Sequence, residues 1–373
     1  MSELRPARIL PPGRLIRREI EARGWTQRQL AEIMGRPVQA ITEIVRGTKQ
    51  ITPETARELA AAFGTSAEVW LNLETAYRLA LAERTNADSI DAITRRARLH
   101  SLVPLGELIK RGWIEAGGTL DALERQVREF LGIESLDAVT PLAVSFRQAT
   151  GREVDPGAQR AWLRRVEVLA GQQRAEPFSP AALRAGIPAL LSHAASTAGV
   201  DAVPQAVRAL GVAFLIVPPL ERTFIDGAAL WLDGRPVVAL TLRYDRIDNF
   251  WMTLLHELAH ITAGHEGVHI DASDQEDVAN LGDAASPEER QAQALALNWL
   301  IDPAALEAFC QRAGPEFTLD AIKEFAATQR RSSGIVVGCL HGTGLLGYER
   351  QRILLGKVRS RLQPWMDTAE PRS

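Results

Sequence analysis

The sequence predicts a mainly α-helical protein with one small β-sheet, in three segments. These are an all-α domain over residues 1–85, a helical middle segment over 86–180 and an α+β domain over 181–373. Three observations lead there. Apolar residues recur at helical spacing through most of the chain, broken at Gly and Pro. After Pro177 the texture changes, with a short β-branched run and a hairpin signal. A length of 373 residues also exceeds what one ordinary core fills.

At 46% hydrophobic and 24% charged residues, the chain has ample apolar surface for folded cores. No apolar run reaches the roughly 20 residues that span a bilayer, and the opening stretch MSELRPARILPPGR lacks the apolar core of a signal peptide. Both features point to the cytoplasm, with no membrane partner. Cys310 and Cys339 have no neighbour at metal-ligand or redox spacing and are expected to pack as thiols. Charge is unevenly shared. Residues 1–50 carry ten Lys and Arg against five Glu, a net +5, which leaves −8 for the rest of a chain whose total is −3. A basic module is joined to an acidic body.

The basic module divides into short helices. Gly24 separates a first helix, from about Gly13 to Arg23, from a second that Thr26 opens as N-cap. Gly35-Arg36-Pro37 then turns the chain into a third, VQAITEIVR, closed by Gly47. Two more follow, after Thr52-Pro53 and after Ser66. Two short helices joined by a tight turn form a helix-turn-helix. The pattern resembles the repressor-like helix-turn-helix family, in its HigA-type antitoxin branch. The resemblance rests on Pro12-Gly13, Thr26-Gln27, Leu30-Ala31, Gly35, Ile41, Gly47, Ile51-Thr52-Pro53, Phe63-Gly64-Thr65-Ser66 and Trp70-Leu71-Asn72-Leu73. It implies double-stranded DNA as a partner and a homodimer that spans two half-sites. By the same resemblance Gln27 meets phosphate, and Gln39, with Val38, Ala40 and Thr42, faces base edges, where an amide can bond adenine in bidentate fashion. Arg28, Arg36, Arg46 and Lys49 are placed for phosphate contacts.

Thr85 to Ile90 is polar and poor in aromatics, which suits a linker, and the helical pattern then resumes through Leu105–Trp113 and Leu120–Leu131. No motif in this stretch carries chemistry, and a spacer or sensor role is expected. Trp113 and Trp162 are expected to anchor a core. After Pro177 the texture changes. Val212–Val217 is a short β-branched run, and Gly227–Leu232 leads through Asp233-Gly234 into Pro236–Leu242, a hairpin signal. Its edge is expected to be able to take an extended peptide as an added strand.

The apolar run Phe250–Ile261 contains His256-Glu257-Leu258-Ala259-His260. In a helix, residues four apart share a face, so His256 and His260 can bind one ion with Glu257 beside it, the zinc-peptidase signature. A catalytic zinc needs a third protein ligand. His265 sits one residue too early for the longer three-histidine pattern, and on a continued helix it would lie about 180° from His256. The preferred ligand is Glu289, which shares a face with the small residues Ala292 and Ala296 of a second helical run; Glu288 is the fallback.

Asp248-Asn249-Phe250-Trp251 leading into Thr253–His260, then Glu289, Ala292 and Ala296 running to Leu300-Ile301, resembles the ImmA/IrrE metallopeptidase family. Gly334-Ile335-Val336-Val337-Gly338 matches its late segment. The resemblance implies a zincin-like fold and one Zn2+ per chain, held by His256, His260 and Glu289. In that chemistry Glu257 takes the proton of the attacking water and passes it to the leaving amine. Asp248 or Asp271 would orient the histidines, and His341 and Tyr348 are candidate donors to the transition state.

Together the two halves suggest a DNA-binding regulator carrying a zinc-dependent endopeptidase. The implied substrate is a repressor or antitoxin, cut in a stress or toxin–antitoxin response. The competing expectation is an antitoxin-like repressor whose peptidase-like domain serves as a sensor or partner-binding module.

Overall fold

Thr26 sets the first helix pair in place. Its hydroxyl accepts from Gln29 N at 3.2 Å while its own N–H donates to Gln29 Oε1 at 2.8 Å, a reciprocal cap that satisfies two orphan groups at a helix start. In the computed structural model, which describes residues 10–138, 145–148, 153–173, 176–272 and 286–367, the chain separates into two units, Met1–Ala97 and Arg98–Ser373. The first contains α1 (Pro12–Ala22), α2 (Gln27–Ile33), α3 (Val38–Arg46), α4 (Pro53–Phe63) and most of α5 (Ala67–Leu102). Its core gathers Ile16, Ile20, Leu30, Ile41, Ile44, Phe63 and Trp70. α3 closes at Gly47, whose φ of +78° carries little cost without a Cβ.

The linker expected near residue 85 is helix instead. Nothing between Ala67 and Leu102 is Gly or Pro, so polarity alone does not break α5, and the division falls between Ala97 and Arg98.

The second unit is built on a five-stranded sheet of order β1-β5-β3-β4-β2, with β1 (Ser145–Gln148), β2 (Ala213–Ile216), β3 (Gly227–Leu232), β4 (Arg235–Leu240) and β5 (Val268–Ala272). β3 and β4 form the expected hairpin, with Asp233 and Gly234 both at positive φ as a tight hairpin turn requires. β2 lies parallel to β4, β5 antiparallel to β3, and β1 parallel to β5. Both hairpin strands are therefore interior, and the free hairpin edge expected from sequence is absent.

Alternation along the strands feeds two cores. Ala213, Leu215, Ala228, Leu230, Val237, Ala239 and Ile270 point to one face, covered by the end of α5 with α6 (Leu105–Lys110), α7 (Leu120–Leu131) and α8 (Pro156–Gln172). Trp162 on α8 is fully buried and donates to Val217 O at 2.9 Å. The segment expected to act as a linker or sensor over 86–180 is thus largely a helical layer of the second unit. Phe214, Ile216, Ala229, Val238 and Leu240 point to the other face. There α9 (Pro180–Leu191), α10 (Val203–Ala209), α11 (Ile247–Ala263), α12 (Pro287–Leu300), α13 (Pro303–Ala313), α14 (Leu319–Thr328) and α15 (Ser333–Gly342) complete the core.

α11 is buried on nearly every side. Gly227 on β3 lets it approach, since a Cβ there would stand 2.6 Å from Thr253 Cγ2 and 2.8 Å from Glu257 Oε1. No helix among the described residues is long and apolar enough to cross a membrane.

Candidate functional site

α11 presents His256 and His260 one turn apart, and α12 brings Glu289 to them from its own first turn. Ala292 and Ala296 are fully buried, which allows that approach. His256 Nε2 lies 3.1 Å from His260 Nε2 and 3.2 Å from Glu289 Oε2, and His260 Nε2 lies 3.5 Å from Glu289 Oε1. Donors around a tetrahedral zinc at bond lengths of about 2.0–2.1 Å stand roughly 3.3 Å apart. The three residues therefore have the spacing of a metal donor set.

The electrostatics agree with that use. Burial pushes His260 down to about 4, despite contact with Glu289, so the imidazole is neutral and keeps a lone pair. Burial also opposes ionisation of Glu289, but its contacts with His256, His260 and His269 outweigh this and hold it well below the usual carboxylate range. A neutral imidazole at His260 beside an ionised Glu289 suits a bound cation. His256 Nδ1, Glu289 Oε1 and both carboxyl oxygens of Glu257 are buried without a hydrogen-bond partner among the described residues. Such groups are costly unless an ion or water completes them. Burial, then Asp271, Glu289 and Asp226, raise Glu257 well above the usual carboxylate range.

Two further histidines join this site, one excluded by helical spacing and one that no motif singles out. α11 stops at Ala263, and Gly264 at φ +74° reverses the chain, so the premise of a continued helix fails for His265. Its Nδ1 lies 2.9 Å from His260 Nδ1, its Nε2 3.1 Å from Gln291 Oε1, and its carbonyl accepts from Trp231 Nε1. His265 thus orients His260 from the side away from Glu289. His269 on β5 stacks on His260 at 4.1 Å, with Nδ1 3.6 Å from Glu289 Oε1 and Nε2 3.1 Å from Glu266 O. A signal for both exists in the composition: four of the seven His in the chain fall between residues 256 and 269.

Asp248 pairs with Arg246 through both carboxylate oxygens. His341 bonds Arg350 O at 2.9 Å, stands beside Tyr348 with ring centroids 5.1 Å apart, and feels the charges of Arg246 and Asp248. That is the opening turn of α11, eight residues before His256 or about 12 Å at 1.5 Å per residue.

In the first unit, Val38, Gln39, Arg46 and Lys49 are exposed on and after α3, and Arg28 is exposed on α2 with Glu32 at 3.6 Å. Gln39 Nε2 donates to Glu43 on its own helix, and Thr42 donates to Val38 O at 3.0 Å, with Gln27 Oε1 at 3.2 Å. Two residues differ from expectation. Ala40 is buried on the inner side of α3, and Arg36 is held by Glu58 in a two-point pair, Nη2 to Oε1 at 3.0 Å, so it braces α4.

Residues 16–70 match the helix-turn-helix family model. Virulence-associated protein I of Dichelobacter nodosus is 39% identical over 74 residues, 20% of this chain and 68% of that protein. The HTH-type transcriptional regulator YddM of Escherichia coli K12, itself uncharacterized, is 32% identical over 74 residues, 20% of this chain and 79% of its own length. A HigA-family addiction module antidote protein from Coxiella burnetii aligns at 34% identity over 22% of this chain and 92% of its own, with a TM-score of 0.22. Through its first unit, this chain belongs to the helix-turn-helix family of DNA-binding regulators.

Proposed function

We propose that the chain is a DNA-binding transcriptional regulator whose second unit is a zinc-dependent endopeptidase with a protein substrate of the repressor or antitoxin class. The observation that carries the enzymatic role is the donor set of His256, His260 and Glu289, spaced 3.1–3.5 Å apart around buried, unpartnered polar atoms. Zinc held there supplies Lewis acidity toward a scissile carbonyl. Glu257, buried beside the set and not a member of it, moves the proton from attacking water to the leaving amine. His265 holds His260 in orientation through its Nδ1. At the other end, Gln39, Val38 and Thr42 on α3 meet base edges, and Gln27, Arg28, Arg46 and Lys49 meet phosphate, in a homodimer that reads two half-sites.

The test is cleavage of helix-turn-helix proteins encoded beside this one. The chain should cut one of them and Glu257→Gln should not; equal cleavage by both removes Glu257 from the mechanism. A second reading, an antitoxin-like repressor with little proteolysis, draws support from the complete burial of Glu257. DNA binding by a gel shift that weakens with salt, with no cleavage of any partner, would favour it.

A further inference from the structure

Among the described residues, β5 is the strand that borders the donor set, through His269. One of its edges pairs with β3, from Gly227 opposite Asp271 to Leu230 opposite Val268. The other edge would present a row of unpaired N–H and C=O groups, a ready template for an extended polypeptide. That place is taken by β1. Ser145 stands opposite His269, Phe146 opposite Ile270, Arg147 opposite Asp271 and Gln148 opposite Ala272. β1 therefore starts at the register of the histidine that borders the donors and ends one residue past the register of Asp271.

We propose that β1 is an in-chain occupant of the edge on which the second unit takes its polypeptide substrate, so that a substrate strand must displace it. This rests on the peptidase reading for what the edge serves, and on the sheet order alone for what occupies it. The exchange is easy on physical grounds. β1 has four residues, sits at the end of the sheet order and pairs in parallel, the slightly weaker ladder. A longer strand gains more backbone hydrogen bonds on the same edge, an antiparallel one makes the slightly stronger ladder, and either re-covers what β1 uncovers.

The test uses the full chain with Glu257→Gln, so that nothing is cut, with and without the pair Phe146→Pro and Arg147→Pro. Successive residues alternate their N–H groups across a ladder, so one of the two prolines removes a donor facing β5. The probe is a fluorescein-labelled peptide with the sequence of residues 142–151, followed by anisotropy, with zinc content and helical circular dichroism measured in parallel. The proline pair should bind the peptide at least about tenfold more tightly than its parent, with zinc and helicity unchanged. Equal affinity, or no binding by a folded proline variant, overturns the proposal. If the pair disturbs folding, Arg147→Pro and Phe146→Pro are tested singly, and hydrogen exchange on the unsubstituted chain decides. Saturating peptide should then leave the β5 amides protected while those of β1 become exchangeable, and unchanged β1 protection overturns the idea. Tighter binding by the proline pair, with no cleavage by the chain that retains Glu257, would sink the peptidase reading and leave the strand exchange standing. Cleavage that the prolines do not accelerate, with unchanged binding, does the reverse.

Discussion

The two units hold their candidate chemistry in opposite ways. On α3, Gln39 and Val38 are exposed, and Gln39 bonds within its own helix, to Glu43. On α11, Glu257 is fully buried and neither of its oxygens has a hydrogen-bond partner among the described residues. A reading surface can be open because its polar groups are hydrated until the partner arrives. A donor set sealed in a core cannot, and each unsatisfied group there costs on the order of 1–3 kcal/mol. The first unit should therefore be indifferent in stability to its functional side chains, whereas the second should depend on what fills its site.

That contrast is broken most readily by metal. If zinc binds the folded second unit alone, a concentration about 1,000 times its Kd stabilises that unit by about 4 kcal/mol, read as a rise in its unfolding transition. The double substitution His256→Ala and His260→Ala should erase the rise, and a rise that survives it would place the metal elsewhere. Next in size is Gly227→Val. Its Cβ meets Thr253 Cγ2 at 2.6 Å and Glu257 Oε1 at 2.8 Å, and the crowding should cost about 1–3 kcal/mol of second-unit stability by chemical denaturation. In the first unit, Gln39→Ala should weaken operator binding about tenfold while moving stability by less than about 0.5 kcal/mol. A large stability loss there would mean that α3 is not an open reading surface.

Thr26→Ala tests the same unit through its scaffold. Losing the reciprocal cap with Gln29 should cost about 1 kcal/mol of folding and change DNA binding only through that loss. The smallest effect concerns pH. Burial, with help from Arg246, holds His341 below its ordinary value of 6.5. The unfolded chain therefore binds the proton more readily, and this contribution to stability is present above about pH 6.5 and fades as pH falls toward the lower folded value. His341→Gln should flatten the decline in stability between about pH 7 and 5, and an unchanged slope would show that His341 does not carry it.

The features legible in sequence are those encoded locally. Thr26, Gly47 and Thr52-Pro53 mark helix ends through their own backbone chemistry, and Asp233-Gly234 marks its hairpin. His256 and His260 follow from helical spacing, and Glu289 from the small face it shares with Ala292 and Ala296. What escapes depends on distant partners. β1 and β5 are four and five residues long and pair across more than a hundred positions, so neither carries a periodic signal of its own. His265 is set aside for its register in the three-histidine pattern and on the assumption of a straight helix, and one glycine at positive φ undoes the second ground. Arg36 resembles a phosphate contact in sequence because nothing nearby shows that Glu58 will claim it.

Zinc per chain, counted by native mass spectrometry on the full-length protein and on Glu289→Ala, bears most directly on the account. One zinc in the parent and a loss in the variant is the predicted result. A metal-free parent, or a variant that holds zinc as tightly as the parent, would contradict it.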